Sequence, residues 1–191
     1  MSMKVLIVGA GIAGLSLAAY LKKQGINPVV VEKAPKWKNI GFVLILFPFG
    51  MRRLQNLSIA QRVKPQSACL SAFSLLDGTG KPLAKLNLKK LARRYGQTIE
   101  VQRNNLHRAL QRINRETAIK IGTTITSLRQ NANGVTVTLS DGTHETVDIV
   151  VGADGIDSSI RRHVLPSERK EYEGLTFWMF WVPRLKPLNE A

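Results

Sequence analysis

A short apolar run, Lys4–Val8, opens the chain and stops at glycine. From Ile12 to Gln24 the apolar positions take helical spacing, with Leu15, Ala18, Ala19 and Leu21 in register and Gly25 as a stop. Pro28–Glu32 is again continuously apolar, the pattern of a strand buried on both faces of a parallel sheet. Strand, helix and strand within about thirty residues predict one βαβ unit. Further on, "AFSLLDGTGKPLAKLNL" predicts two strands joined by a turn at Asp77 to Gly80. "GVTVTLSDGTHETVDIVVG" alternates apolar and polar residues around Asp141-Gly142 and predicts a second hairpin. Between the two lie an expected strand ending at Arg103, a helix from about Asn104 to Arg115, and another short strand. A strand from Thr146 to Val151 is expected to empty into the turn Gly152-Ala153-Asp154-Gly155. The class these elements predict is α/β, a parallel sheet with a β-hairpin or meander beside it.

The most apolar stretch is "IGFVLILFPFG", Ile40 to Gly50, with no charged or hydrogen-bonding side chain. A bilayer-spanning helix needs about 20 residues, and Pro48 would interrupt one, so a buried strand and turn is the expectation. The full 191 residues, 44% hydrophobic and 21% charged, hold one ordinary soluble domain or one and a half. No secretory pattern is visible, because "MSMKVLIVGAGIAG" turns glycine-rich where a leader stays apolar. The lone Cys69 leaves no internal disulfide and fits a reducing cytoplasm, where it is expected as a buried small hydrophobe. The net charge of +15 favours anionic ligands. The basic residues are scattered singly and in pairs, however, without a nucleic-acid module, so solvated surface accounts for most of them and nucleic acid is not an expected partner.

Chemistry enters with "VGAGIAG", which sets Gly9, Gly11 and Gly14 in G-x-G-x-x-G spacing, with Ile12 and Ala13 between them, after a strand and opening a helix. The first glycine permits a tight turn, the second lets a pyrophosphate approach the backbone, and the third allows close helix–strand packing. Phosphate then meets free N–H groups and the positive end of the helix dipole. Glu32, followed by Lys33, ends the next strand eighteen residues beyond Gly14, where a carboxylate can accept from both hydroxyls of an adenosine ribose and would repel a ribose phosphate. A Rossmann-like dinucleotide site for FAD or NAD follows.

"GADGIDSSIRR" narrows the choice. It resembles the second fingerprint of the FAD-dependent aromatic-ring monooxygenases, the para-hydroxybenzoate hydroxylase-like family, and matches it at Asp154, Gly155, Ser158 and Arg161. "VQRNNLHRAL" resembles that family's strand-end arginine and the helix after it. The resemblance implies FAD as cofactor, with Asp154 and Gly155 helping to hold it and Arg103 reaching its diphosphate and ribityl region. A guanidinium's forked donors suit phosphate oxygens. Arg108 and Arg112, one turn apart, are expected on the solvated face of the helix, and His107, with no metal-ligand partner at useful spacing, on the surface. Within "IGFVLILFPFG" and the residues after it, Ile40, Gly41, Leu46, Pro48, Arg52, Leu54 and Leu57 fit the family's segment beside the flavin ring. Val43 and Ile45 stand where the family has glycines, and Phe49 where it has asparagine.

The resemblance divides the chain into an FAD-binding domain over 1–170 that lacks the family's third fingerprint, and the start of a truncated substrate-binding sheet over 171–191, where "FWMFWV" reads as an aromatic strand. It implies an NAD(P)H- and O2-dependent hydroxylation of a small, usually aromatic substrate. No catalytic residue is assignable, and no metal is implied. With the enclosure for the reactive end of the cofactor missing, the chain alone is expected to bind FAD weakly or not at all and to hydroxylate poorly. Two alternatives stand beside this reading: a flavin-dependent reductase of the same fold, and a non-catalytic module that associates with itself or a partner chain through its open half.

Overall fold

The structure, a computed structural model, describes residues 3–37, 41–167, 169–176 and 178. In chain order the elements are β1 (Val5–Val8), α1 (Ile12–Lys23), β2 (Val29–Glu32), β3 (Val43–Leu46), α2 (Pro48–Asn56) and α3 (Ala60–Val63). There follow β4 (Ser67–Cys69), β5 (Ala72–Leu76), β6 (Pro82–Asn87), α4 (Leu88–Tyr95), β7 (Ile99–Gln102) and α5 (Arg103–Ile113). The last group is β8 (Ala118–Ile121), β9 (Ile125–Asn131), β10 (Gly134–Leu139), β11 (His144–Val147), β12 (Ile149–Gly152) and α6 (Ser159–Val164).

The organising element is a parallel sheet in the order β12-β1-β2-β8. Its central strands are apolar up to Glu32, the last residue of β2, because both faces are covered. Val5, Ile7 and Val30 point into a core shared with α1, α3 and α5, where Leu15, Ile59, Leu106 and Leu110 are fully buried. Leu6, Val8 and Val31 point the other way, against Val135, Val137 and Leu139 of the antiparallel meander β11-β10-β9 and Ile160 of α6. Each such side chain contributes about 1.5–3 kcal/mol on leaving water, so the sheet that carries the glycine loop is anchored by burial on both faces.

The predicted βαβ unit and both hairpins are present, β5 pairing with β6 and β10 with β11. Several details differ from expectation. Thr146–Val151 is not one strand. The meander strand β11 ends at Val147 and the sheet strand β12 begins at Ile149, with Asp148 between them. There the Lys4 N–H donates to the Asp148 carboxylate at 2.7 Å, and the N–H groups of Asp148 and Ile149 both donate to the Lys4 carbonyl. That exchange moves the chain from one sheet to the other. Strand β9 was not expected, since its apolar residues Ile125 and Leu128 lie three apart rather than two.

The apolar run is neither fully strand nor buried. Only Val43–Leu46 pairs, antiparallel to β7, and Pro48 starts α2 at the position where its missing N–H costs nothing. Ile45 is 39% and Phe49 60% exposed. Among the described residues no helix is long and apolar enough to cross a membrane. Cys69 is exposed, not buried, because β4 is an edge strand paired only with β7. Ile40 and most of the aromatic segment after residue 176 lie outside the described residues.

Candidate functional site

The C-terminal ends of β1 and β12 and the turns after them open into a cleft of about 420 Å³. Of the ten sequence-predicted residues, Gly9, Gly11, Glu32, Lys33, Arg103, Asp154 and Gly155 line it. The other three do not line it: Gly14 is buried beneath the loop, Ile12 packs on the core, and Ala13 is exposed on the first turn of α1. The leading N–H groups of a helix have no carbonyl one turn back to receive them, so this turn offers donors toward the cleft.

The three glycines do different things. Gly9 takes φ +105, and a Cβ there would meet the Ala153 carbonyl oxygen at 2.4 Å. A Cβ on Gly14 would lie 1.9 Å from the Gly9 carbonyl oxygen, so α1 touches the loop backbone to backbone. A Cβ on Gly11 would meet nothing within 4 Å. The loop is thus closed on two sides by its own protein and open on the third, as approach of a bulky anion requires.

Glu32 already has two partners. Its Oε2 accepts from the Ala10 N–H at 2.8 Å and its Oε1 from the Ala34 N–H at 2.9 Å, which fixes the carboxylate at the cleft wall. Each oxygen has a second lone pair, so the group remains able to accept from ligand hydroxyls. Arg103, the first residue of α5, lies with its guanidinium 5.5 Å from the Phe42 ring, and its backbone N–H donates to the Phe42 carbonyl. It lines both this cleft and the adjoining wedge of about 210 Å³ that holds Trp37 and His107.

Asp154 proves as much a scaffold as a cleft residue. Its Oδ1 accepts from the Ser158 hydroxyl, and its Oδ2 from the Ser159 N–H at 2.7 Å and the Ser159 hydroxyl at 2.9 Å. Ser158 caps α6 by accepting from the Arg161 N–H. Partial burial pushes the Asp154 carboxyl up, but the donors from Ser158 and Ser159 outweigh it and hold it below the ordinary carboxylate range. A lowered folded value means its contribution to stability is full above the ordinary range and is lost as pH falls through the folded value. Asp154→Asn is therefore expected to lower the urea midpoint at pH 7 and to flatten its fall on acidification. A variant with the parental acid limb would show that these bonds do not discriminate the charged form.

Two further acidic and basic groups stand in the cleft without having been predicted as site residues. Asp157 pairs with Lys170, whose hydrogen bond, together with its charge, holds the carboxyl low. Arg162 lines the cleft, whereas Arg161 turns back to the Ile156 carbonyl at 2.7 Å. In the helix α6 the two arginines are neighbours on different faces, which the spacing alone would not rank.

Arg108 and Arg112 are exposed, as expected. His107 is not: it is 8% exposed, with Nε2 2.8 Å from the Ala10 carbonyl oxygen. Helical spacing carried the signal, because 107, 110 and 114 share the stripe on which Leu110 and Asn114 are also buried. Val43, Ile45 and Phe49 do not line the cleft: Val43 borders a separate hollow with Ser67 and Glu100, and Phe49 lies under the Arg53 guanidinium at 4.8 Å.

A nucleotide-binding α/β sheet with this loop and this acidic strand end is a dinucleotide site. The chain belongs to the FAD binding domain family, which matches residues 2–184, and FAD is the cofactor of that family. It is 35% identical over 181 residues, 95% of this chain and 47% of the relative, to the 2-heptyl-3-hydroxy-4(1H)-quinolone synthase of Pseudomonas aeruginosa. Among solved structures it resembles P. aeruginosa PqsL in complex with 2-aminobenzoylacetate, with TM-score 0.75 and 30% identity over 90% of this chain and 48% of that one. It also resembles Klebsiella pneumoniae HpxO complexed with FAD and uric acid, with TM-score 0.72 and 28% identity over 84% of this chain and 41% of that one. The chain spans about half the length of these proteins.

Proposed function

We propose that this chain is the FAD-binding part of an NAD(P)H- and O2-dependent monooxygenase that hydroxylates a small aromatic compound. The observation that carries the reading is the cleft itself, where an open Gly11, a backbone-anchored Glu32 and the Arg103 guanidinium converge within one family-matched fold. The donor set fits the adenosine–diphosphate end of FAD. Glu32 would accept from the ribose hydroxyls, the first turn of α1 at Ile12 and Ala13 would donate to the diphosphate, and Arg103 and Lys33 would balance its charge. Asp154 and Gly155 would border the chain leading to the ring. FAD, when bound, supplies the electron acceptor for NAD(P)H and the centre at which O2 reacts. The relatives' names support the activity, and the oxidised compound is proposed to be of their kind, a small ring bearing polar substituents.

Titration of the purified chain with FAD is the direct test, followed by the same titration in the presence of ADP. Weak but saturable binding that ADP competes away is expected, in line with the missing enclosure for the flavin end, with little substrate-dependent NAD(P)H oxidation by the chain alone. A chain on which neither nucleotide binds even at millimolar concentration would overturn the reading of the cleft as a site for the adenosine–diphosphate end. The proposed setting is the cytoplasm, consistent with a lone exposed thiol.

A second reading is favoured by the β5–β6 ribbon. Phe73, Leu75, Ala84 and Leu86 share one of its faces by cross-strand pairing, and all are exposed. Two strands alone are marginal in water, so this face suits association with further polypeptide or a partner chain. Light scattering with and without FAD would detect it as a mass above that of one chain.

A further inference from the structure

We propose that His107 is a positioning residue for the cofactor, holding the glycine-rich loop in its nucleotide-binding shape through the carbonyl of Ala10. The inference rests on the FAD reading of the cleft and assigns a role that the glycine motif alone does not contain. A carbonyl oxygen can only accept, so His107 Nε2, 2.8 Å away, is the donor and carries the ring proton. The same peptide unit's neighbour is gripped from the opposite side: the Ala10 N–H donates to Glu32 Oε2 at 2.8 Å. Ala10 is 1% exposed and lies directly before Gly11, the one loop glycine with open space around it. Two side chains from distant parts of the chain, 22 and 97 residues away, therefore fix both hydrogen-bonding groups of the residue that aims Gly11 at the cleft.

The position of His107 separates this role from ordinary core packing. It borders the wedge that it shares with Gly11, Glu32, Trp37 and Arg103, and the Trp37 ring meets its edge at 5.3 Å between centroids and 70° between planes. Seven residues on, Asn114 supplies an internal comparison: it too is buried, at the end of the same helix, and its Nδ2 donates to the carbonyls of Leu15 and Leu110 at 2.9 Å. Asn114 ties α5 to α1 beyond the loop, whereas His107 ties it to the loop itself.

The experiment uses calorimetric titration of the full chain with FAD and with ADP, and thermal unfolding without ligand, for four proteins: the parent, His107→Leu, His107→Gln and Asn114→Leu. Removing the donor in His107→Leu is expected to weaken binding of both nucleotides about tenfold, the value of one good hydrogen bond. His107→Gln, which can still present an N–H, should stay within about threefold of the parent. Asn114→Leu should lower the unfolding midpoint at least as much as His107→Leu while leaving affinity within about twofold. Affinity that falls in step with stability across all three variants, or a His107→Leu protein that binds like the parent, would overturn the proposal. A parent that binds neither nucleotide would instead remove the cofactor reading on which it depends.

Discussion

Gly14→Ala is expected to destabilise the chain by ~3 kcal/mol or more, enough to remove most of the stability of a marginal domain. In an exposed helix interior the same change stabilises by up to about 1 kcal/mol, because alanine is the better helix former. Here the sign reverses for a geometric reason. The new methyl would lie 1.9 Å from the Gly9 carbonyl oxygen and 3.1 Å from its carbon, and both atoms are backbone. Gly9 cannot retreat: its N–H donates to the Val31 carbonyl at 2.8 Å, and its other side faces Ala153. Chemical denaturation gives the readout, as a lowered midpoint or a chain recovered only in insoluble form. An unchanged or raised midpoint would mean that α1 and the loop are not in contact.

Gly11→Ala is the natural companion. At φ −73 with no atom within 4 Å, the methyl disturbs nothing in the protein. Its stability should stay within about 0.5 kcal/mol of the parent, while FAD titration shows about tenfold weaker binding because the methyl stands where the phosphate must approach. One substitution at two neighbouring glycines thus separates fold from binding.

Glu32→Leu has the second large effect. It removes both acceptors at once, leaving the Ala10 and Ala34 N–H groups without the carboxylate that receives them. An unmet donor costs about 1–3 kcal/mol where water cannot replace the partner. Ala10 is fully enclosed and Ala34 partly so, which places the expected loss at about 2–4 kcal/mol in a urea titration. Nucleotide binding should vanish as well, since the same carboxylate faces the cleft. Glu32→Gln keeps the shape but turns an NH2 toward one of the two donors, so it should fall between parent and leucine variant. A leucine variant as stable as the parent would show that the loop holds its form without the Glu32 carboxylate.

The parallel sheet was legible because its strands are apolar on both faces, and the cleft because Gly9, Gly11, Gly14, Glu32 and Asp154 sit at the ends of recognisable strands. What escaped lay where local pattern and tertiary setting disagree. Nothing in "VDIVV" marks Asp148 as a crossing between sheets, since the break is made by Lys4 at the other end of the chain. The run from Ile40 looked buried because it is apolar, yet apolar character alone does not fix burial, and Ile45, Phe47 and Phe49 are exposed. His107 was placed by its lack of metal-ligand neighbours when the helical stripe through Leu110 and Asn114 was the better guide. Asp157 enters the cleft from the turn before α6 and Arg162 from that six-residue helix itself, a geometry which no spacing rule specifies.

The exchange at Asp148 also orders events in time. β12 pairs with β1 in the register Val5↔Ile149 to Val8↔Gly152, so the first strand made waits for one that is nearly the last described. Contacts that distant in sequence slow folding, because the loop between them must close before they are rewarded. On a ribosome the wall formed by Ala153 and Asp154 cannot meet the glycine loop until that stretch has emerged. A nascent chain stopped before β12 would hold α1 and β2 but leave one edge of β1 open, and its glycine loop would lack the wall that Ala153 and Asp154 supply.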